Sequence, residues 1–337
     1  MADAPILKLV KEVEARPRAS GTRQPPRAKR PASRPSRILS VGGGKGGIGK
    51  SLISANLGIA LARRGKRVVL VDADLGGANL HTALGMESPR RTLSDFVERR
   101  CERLEDVLVP TGVENLSLAS GALDHLEAAH PRHAQKLRLL RHIQALDTDY
   151  VILDLGAGTH SNTLDFFLVS DHGVLVLVPE PTAIENAYRF VKAAFWRRMR
   201  TVAQVFGYEG LLKEVMQGSS FKSPVELVST VAARDPEAGV NLARQLATFR
   251  PRLLVNQART AQDAEIGHAV VAAWRKYFGL EMDYLGAIAY DDNMWRAVRL
   301  RQALLVAHAD VPAGRALDAV AGRLLAMDAA ARGVEPT

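Results

Sequence analysis

The chain is predicted to be an α/β protein with a mostly parallel, doubly wound sheet and helices on both faces. Three observations predict it. Short runs of Val, Ile and Leu recur between longer stretches of helical periodicity. The runs do not alternate apolar with polar residues, which marks strands buried on both faces. Acids and glycines collect where the runs end, the edge at which open α/β sheets bind ligands.

The elements follow in order. Residues 1–14 (MADAPILKLVKEVE) can form a short helix with Ile6, Leu7 and Val10 on one side. Residues 15–37 are rich in Pro, Arg, Ala and Ser and lack the apolar content to fold, so 1–37 is expected to be a disordered basic tail. ILSV (38–41) is a buried strand, a glycine loop follows, and 51–65 is a helix ending at Gly65. RVVLVDAD (67–74) is the next strand. The stretch 92–108 reads as helical, NLSLAS (115–120) as a strand and 133–146 as a helix. YVILDLGAG (150–158) and HGVLVLVPEP (172–181) are two further strands. A long helix starts near Thr182, and much of 183–250 looks helical. PRLLVNQA (251–258) is a strand, 262–278 a helix, DYLGAIAYDD (283–292) the last strand, and helices close the chain. The expected organisation is the tail 1–37 and one domain, 38–330, with a helical elaboration at about 183–250.

Composition narrows the class. Of 337 residues, 47% are hydrophobic, enough for a substantial core. The longest purely apolar run is far shorter than the roughly 20 residues that span a bilayer. No apolar stretch near the N-terminus suggests a secretory signal. Cys101 is the single cysteine, which excludes an intrachain disulfide and disfavours a metal cluster within one chain. These features predict a soluble cytoplasmic protein. The net charge is +9, of which the tail 1–37 carries +7; the body is nearly neutral.

The chemistry is concentrated in GGGKGGIGKS (42–51). Gly44-Lys45-Gly46-Gly47-Ile48-Gly49-Lys50-Ser51 fits G-x-x-x-x-G-K-[ST] between a strand and a helix. Glycines let backbone N–H groups turn in around phosphate oxygens. Lys50 reaches the β- and γ-phosphates, the Ser51 hydroxyl reaches Mg²⁺, and Leu52 completes the stretch 44–52 expected to contact the nucleotide. The helix N-terminus adds favourable electrostatics. A magnesium nucleotide needs acids nearby. Asp154, ending YVILD, is the expected metal carboxylate. Asp72 and Asp74 end the second strand, Asp72 as a further metal candidate and Asp74 to orient the attacking water.

The loop holds a second lysine. Lys45-Gly46-Gly47-Ile48-Gly49-Lys50-Ser51 resembles the deviant Walker A motif, K-G-G-x-G-K-[ST], of the MinD/ParA family of P-loop ATPases. The resemblance covers about 38–310 and implies a SIMIBI-type P-loop fold, ATP and Mg²⁺ as ligands, and an ATP-dependent homodimer. In it Lys45 is the signature lysine that reaches the partner subunit's phosphates. VDADLGGANLHTALG (71–85) resembles the family's switch I, with Asp74 the water-positioning acid, and DLGAG (154–158) its switch II. VNQA (255–258) is similar to the adenine-contacting segment, which makes Asn256 the base-recognition residue; AYDD (289–292) borders the same base.

Pro179-Glu180-Pro181-Thr182 with Asn186-Ala187-Tyr188 resembles a pattern of the flagellar-number regulators FlhG and FleN, with Asn186 in place of the usual Asp. Control of flagellar placement or number is therefore implied, with ParA-like nucleoid positioning and MinD-like division-site regulation as alternatives. A protein partner that stimulates hydrolysis is implied, as is a cytoplasmic location reaching the inner membrane or cell pole. The basic tail adds contact with DNA or an anionic membrane. Residues 1–14 lack the family's D-Q-A-x-x-L-R segment. The last helix (315–333) has an apolar stripe of Leu317, Val320, Leu324 and Leu325 without bulky aromatics, so it is expected to pack on the core rather than to enter a membrane. WRRMR (196–200) is a basic turn available to a partner or nucleic acid.

Overall fold

The computed structural model describes residues 36–74, 77–121, 133–218, 221 and 223–332. The expected helix 1–14 and the tail to residue 35 lie outside the described residues. Arg37, expected to close the tail, instead opens the first strand.

Among the described residues the strands are β1 (Arg37–Gly42), β2 (Val68–Asp72), β3 (Leu108–Pro110), β4 (Leu116–Ala119), β5 (Tyr150–Asp154), β6 (His172–Leu177), β7 (Arg252–Ala258) and β8 (Asp283–Ala289). They form one sheet in the order β3-β4-β2-β5-β1-β6-β7-β8. The pairings from β4 through β7 are parallel. Strand β3 pairs antiparallel with β4. This corrects the helical reading of 92–108, which holds only a short helix Leu93–Val97 and a 3₁₀ turn Leu104–Val107 before the edge strand begins. Thr92 caps that helix and Asp95 returns the bond, so local capping rather than apolar periodicity set its length.

Two compact units divide the chain. The first comprises the described residues of Ser33–Phe190, Arg252–Gly267 and Leu285–Thr337. Its helices include α1 (Lys50–Arg63), α2 (Leu80–Ala83), α3 (Leu93–Val97), α4 (His133–Ala145) and α5 (Ser161–Val169). The long α6 (Pro181–Phe206) begins in this unit. Helix α1 is buried along most of its length, with Ile53, Leu57 and Leu61 fully buried, because the sheet lies on one side and the last helix on the other. That last helix, α13 (Pro312–Arg332), packs on α1 through Leu317, Val320 and Leu324, each at most 2% exposed. It is a core element, as its stripe predicts. Between α10 (Ala261–Phe278) and α13 lie β8, α11 (Asp292–Arg299) and α12 (Leu304–Ala307).

The second unit comprises Val191–Pro251 and His268–Tyr284. It holds the rest of α6, then α7 (Glu209–Gly218), α8 (Pro224–Arg234), α9 (Pro236–Ala247) and most of α10. Ser223 and Asp235 cap α8 and α9, each followed by Pro at the first helical position, an arrangement legible as S-P and D-P in the sequence. Trp274 and Phe278 stack at 3.8 Å, and Phe195 lies 5.3 Å from Phe278. Arg198, from the basic turn expected to face a partner, donates to the Gln245 carbonyl within this unit.

Candidate functional site

The register of the sheet assembles the site. Val41 of β1 pairs with Asp154 of β5, and Asp154 with Asp72 of β2. The loop 43–49 leaves the end of β1 between β5 and β6, so the glycines and the acids of neighbouring strands emerge side by side.

The loop holds its shape through close approaches. A Cβ at Gly44 would collide with the Asn186 carbonyl of α6, so only glycine lets the loop lie on that helix. Gly49, the residue capping α1, sits at φ 90°, and a Cβ there would lie 2.5 Å from Asn256 Nδ2. Lys50 is 8% exposed, and its Nζ donates to the Lys45 carbonyl at 3.3 Å. Burial lowers its pKa, while the charges of Asp154 and Asp74 oppose that shift.

Asp154 is buried beneath the loop. It accepts a hydrogen bond from Ser54 Oγ at 2.9 Å and another from the Ser51 side chain. Burial pushes its pKa up to about 6, against those bonds and the Lys50 charge. Ser54 was not singled out from the sequence. Its signal was its place on the same side of α1 as Ser51, close to one turn later.

Three expected residues take positions the motif alone does not specify. Asp72, expected at the metal, has both carboxylate oxygens on backbone N–H groups, Oδ1 on Asp74 at 3.3 Å and Oδ2 on Leu80 at 3.0 Å. Its pKa is raised well above the usual range, first by burial and then by the charge of Asp154. It holds the turn that presents Asp74. The Asp74 carboxylate lies against Gly156 of the DLGAG turn. Asn256, expected at the base, donates from Nδ2 to the Ile48 carbonyl at 2.8 Å, bracing the loop from β7. Tyr290 follows β8, with Arg259 3.9 Å over its ring.

Lys45 is engaged outside the loop. Its Nζ pairs with Glu180 Oε2 at 2.7 Å. Glu180 belongs to the P-E-P-T stretch, whose charge the sequence displayed without indicating its partner. Of the remaining loop residues, Gly46 and Gly47 meet little that a side chain would strike, and Ile48 is buried. Leu52 accepts the Asn56 side-chain amide on its carbonyl at 2.7 Å. Among the described residues no group of three or more His, Cys, Asp or Glu side chains forms a metal cage.

A family model described as "ParA: NUBPL iron-transfer P-loop NTPase" matches residues 34–206. The antiactivator FleN of Pseudomonas aeruginosa is 31% identical over 292 residues, covering 86% of this chain and 86% of that protein. The flagellum site-determining protein YlxH of Helicobacter pylori is 34% identical over 166 residues, 47% of this chain and 53% of that protein, so that match spans about half of each. Among solved structures, the septum site-determining protein MinD of Pyrococcus horikoshii, complexed with Mg-ADP, superposes with a TM-score of 0.59 at 21% identity, over 87% of this chain and 97% of that one.

Proposed function

The chain belongs to the MinD/ParA family of P-loop ATPases, and from that premise we propose that it is a slow, Mg²⁺-dependent, dimerisation-coupled switch governing the number or placement of flagella. One observation carries the reading: Lys50, Ser51 and Asp154 converge on a glycine loop at the helix N-terminus, braced by Asn256 and seated on α6.

The residues divide the work by position. Backbone N–H groups of 44–50 and Lys50 hold the β- and γ-phosphates. Ser51 and ionised Asp154 would hold Mg²⁺, which would supply charge neutralisation at the phosphates. Asp72 acts through the backbone, fixing the turn, and Asp74 orients the water. Phosphoryl transfer to water needs positioning and charge more than covalent participation. The Lys45–Glu180 pair is exposed and weak, so a partner subunit's phosphates can draw Lys45 across. The flagellar reading is supported by FleN along most of the chain and by YlxH along half of it.

Calorimetric titration with Mg-ATP tests the site. The wild type should bind and turn over slowly, and Lys50→Ala should lose about tenfold or more in affinity as the central cation goes. Wild-type affinity in that variant would overturn the loop assignment. Deleting the gene in its host and counting flagella by electron microscopy tests the role. Unchanged number and position would remove the flagellar reading and leave the ATPase.

A further inference from the structure

We propose that α11 and the loop after it are the docking surface for an acidic, apolar segment of the protein partner that stimulates hydrolysis. The proposal rests on the switch reading above, because it supplies that switch with its entry point.

The surface starts from an unusual exposure pattern in AYDDNMWRAVRLRQALLV (289–306). The inner face of α11 is anchored: Ala297 is 1% exposed and Met294 packs against the core. The outer side carries Trp295, 56% exposed, with Val298 one turn on and Leu300, 65% exposed, at the helix end. Tyr290 and Val306 are also exposed. Isolated apolar residues are ordinary on surfaces, but a tryptophan among four other large apolar side chains on one short segment is not.

Arginines interleave with them. Arg259 lies over the Tyr290 ring, and Arg299 lies 4.8 Å from the centroid of Trp295. Arg296 and Arg301 are exposed beside them. These contacts pre-order the rings, which lowers the entropy cost of binding. Residues 285–307 contain no Lys and no Glu. Aromatics, Met and Arg are enriched in interface cores, where Lys, Glu and Asp are depleted, and Trp, Tyr and Arg dominate their hot spots.

Charge selects the occupant. Four arginines face Asp291 and Asp292. Asp291 is engaged, accepting the backbone N–H of Asn293 at 2.9 Å and of Ala313 at 3.3 Å. A positive rim around an apolar centre complements an acidic segment with apolar side chains. Asp292, exposed at the edge, would face the headgroups of an anionic bilayer unfavourably, whereas a peptide can avoid it.

The same segment touches switch I. Gly85, at its end, packs against the Arg301 carbonyl. Arg301 holds a left-handed φ of 50°, a conformation that non-glycine residues keep only where the surroundings enforce it. His81 of α2 is buried, its Nδ1 has no hydrogen-bond partner, and the charge of Arg301 acts on it. A partner pressing on Leu300 and Arg301 therefore bears on 79–85, the segment that follows Asp74 and is tied by Leu80 to Asp72.

The test places the photo-crosslinking residue benzoylphenylalanine at Trp295, with a control at exposed Glu265, in the full-length protein in its native host. The expected adduct is a protein whose crosslinked peptide has more Asp and Glu than Lys and Arg and carries large apolar residues. That peptide, made synthetically, should stimulate hydrolysis by the wild type. Trp295→Ala and the Arg296→Glu/Arg299→Glu pair should each weaken its binding about tenfold or more, while unstimulated hydrolysis stays within about twofold. An adduct to lipid, nucleic acid or a second copy of this chain, a peptide without acidic excess, no adduct at Trp295, or undiminished binding by the charge-reversed pair would each overturn the proposal. Unstimulated hydrolysis by the wild type is measured in parallel; its absence would instead remove the ATPase reading, with peptide binding still scoring the surface.

Discussion

At Asp154, the carboxyl proposed above to hold Mg²⁺, burial bears directly on pH dependence. Its folded pKa stands near 6 against an ordinary 3.8, because burial penalises the charge more than Ser51, Ser54 and Lys50 favour it. In the proposed site Mg²⁺ requires the carboxylate form. The Mg²⁺-dependent part of ATP affinity should therefore rise with pH and level off above about 6, falling about tenfold for each unit below. Titrations at pH 5 and 7.5 should differ accordingly, and Asp154→Asn should flatten the difference. The stability sign is opposite. The folded state keeps a proton that the unfolded chain releases, so this group's contribution falls between about pH 4 and about 6 and stays lost above. In urea at pH 7, without nucleotide, Asp154→Asn should consequently unfold at a higher denaturant concentration than wild type. A lower midpoint would show that the hydrogen bonds outweigh burial.

Among the elements, α13 is tied to the sheet edge opposite the loop. Asp328 accepts from Tyr150 Oη at 2.5 Å, meets His172 Nε2 at 2.5 Å and lies 3.3 Å from Arg37 Nε. Those three residues open β5, β6 and β1. The hydrogen bonds from His172 and Tyr150 and the charge of Arg37 hold the Asp328 carboxyl below the usual range despite its burial. Its stabilisation is thus present above the ordinary carboxylate pKa and lost as pH falls through the folded one. Asp328→Ala removes the acceptor shared by Tyr150, His172 and Arg37 at a buried site and should cost about 1–3 kcal/mol, read by urea denaturation at pH 7. ATP affinity should be unchanged, since the cluster and the glycine loop lie at opposite ends of the strands. A loss under 1 kcal/mol would mean that the apolar stripe alone holds the helix.

For the whole molecule, the signature lysine is the test of assembly. Lys45 is paired within its own chain at an exposed site, whereas across an ATP sandwich it would meet phosphates where water is largely excluded. Charge-assisted contacts are stronger there. Lys45→Ala should keep nucleotide affinity within about twofold, because Lys50 and the loop backbone remain, yet lose ATP-dependent dimerisation and most hydrolysis. Light scattering after size exclusion, with and without Mg-ATP, reads the first effect. Equal loss of affinity and dimerisation would make Lys45 an ordinary ligand of its own nucleotide.

By itself the sequence determined the parallel sheet and the glycine loop, and it singled out Lys50, Ser51 and Asp154, which the structure brings together. These follow from strand composition and short-range spacing, which are properties of contiguous residues. It also indicated that the last helix packs inward, from a stripe at helical period. Only the tertiary structure decided that Asn256 braces Ile48 across 208 positions, that Glu180 holds Lys45, that Asp72 serves a turn, and that Arg301 meets Gly85. Each of these depends on which strands become neighbours and in what register. Periodicity within a segment reports which face is buried, but not which distant segment lies against it. The edge strand β3 was missed for a related reason: three residues are too few to display a period, and pairing with β4 alone makes them a strand.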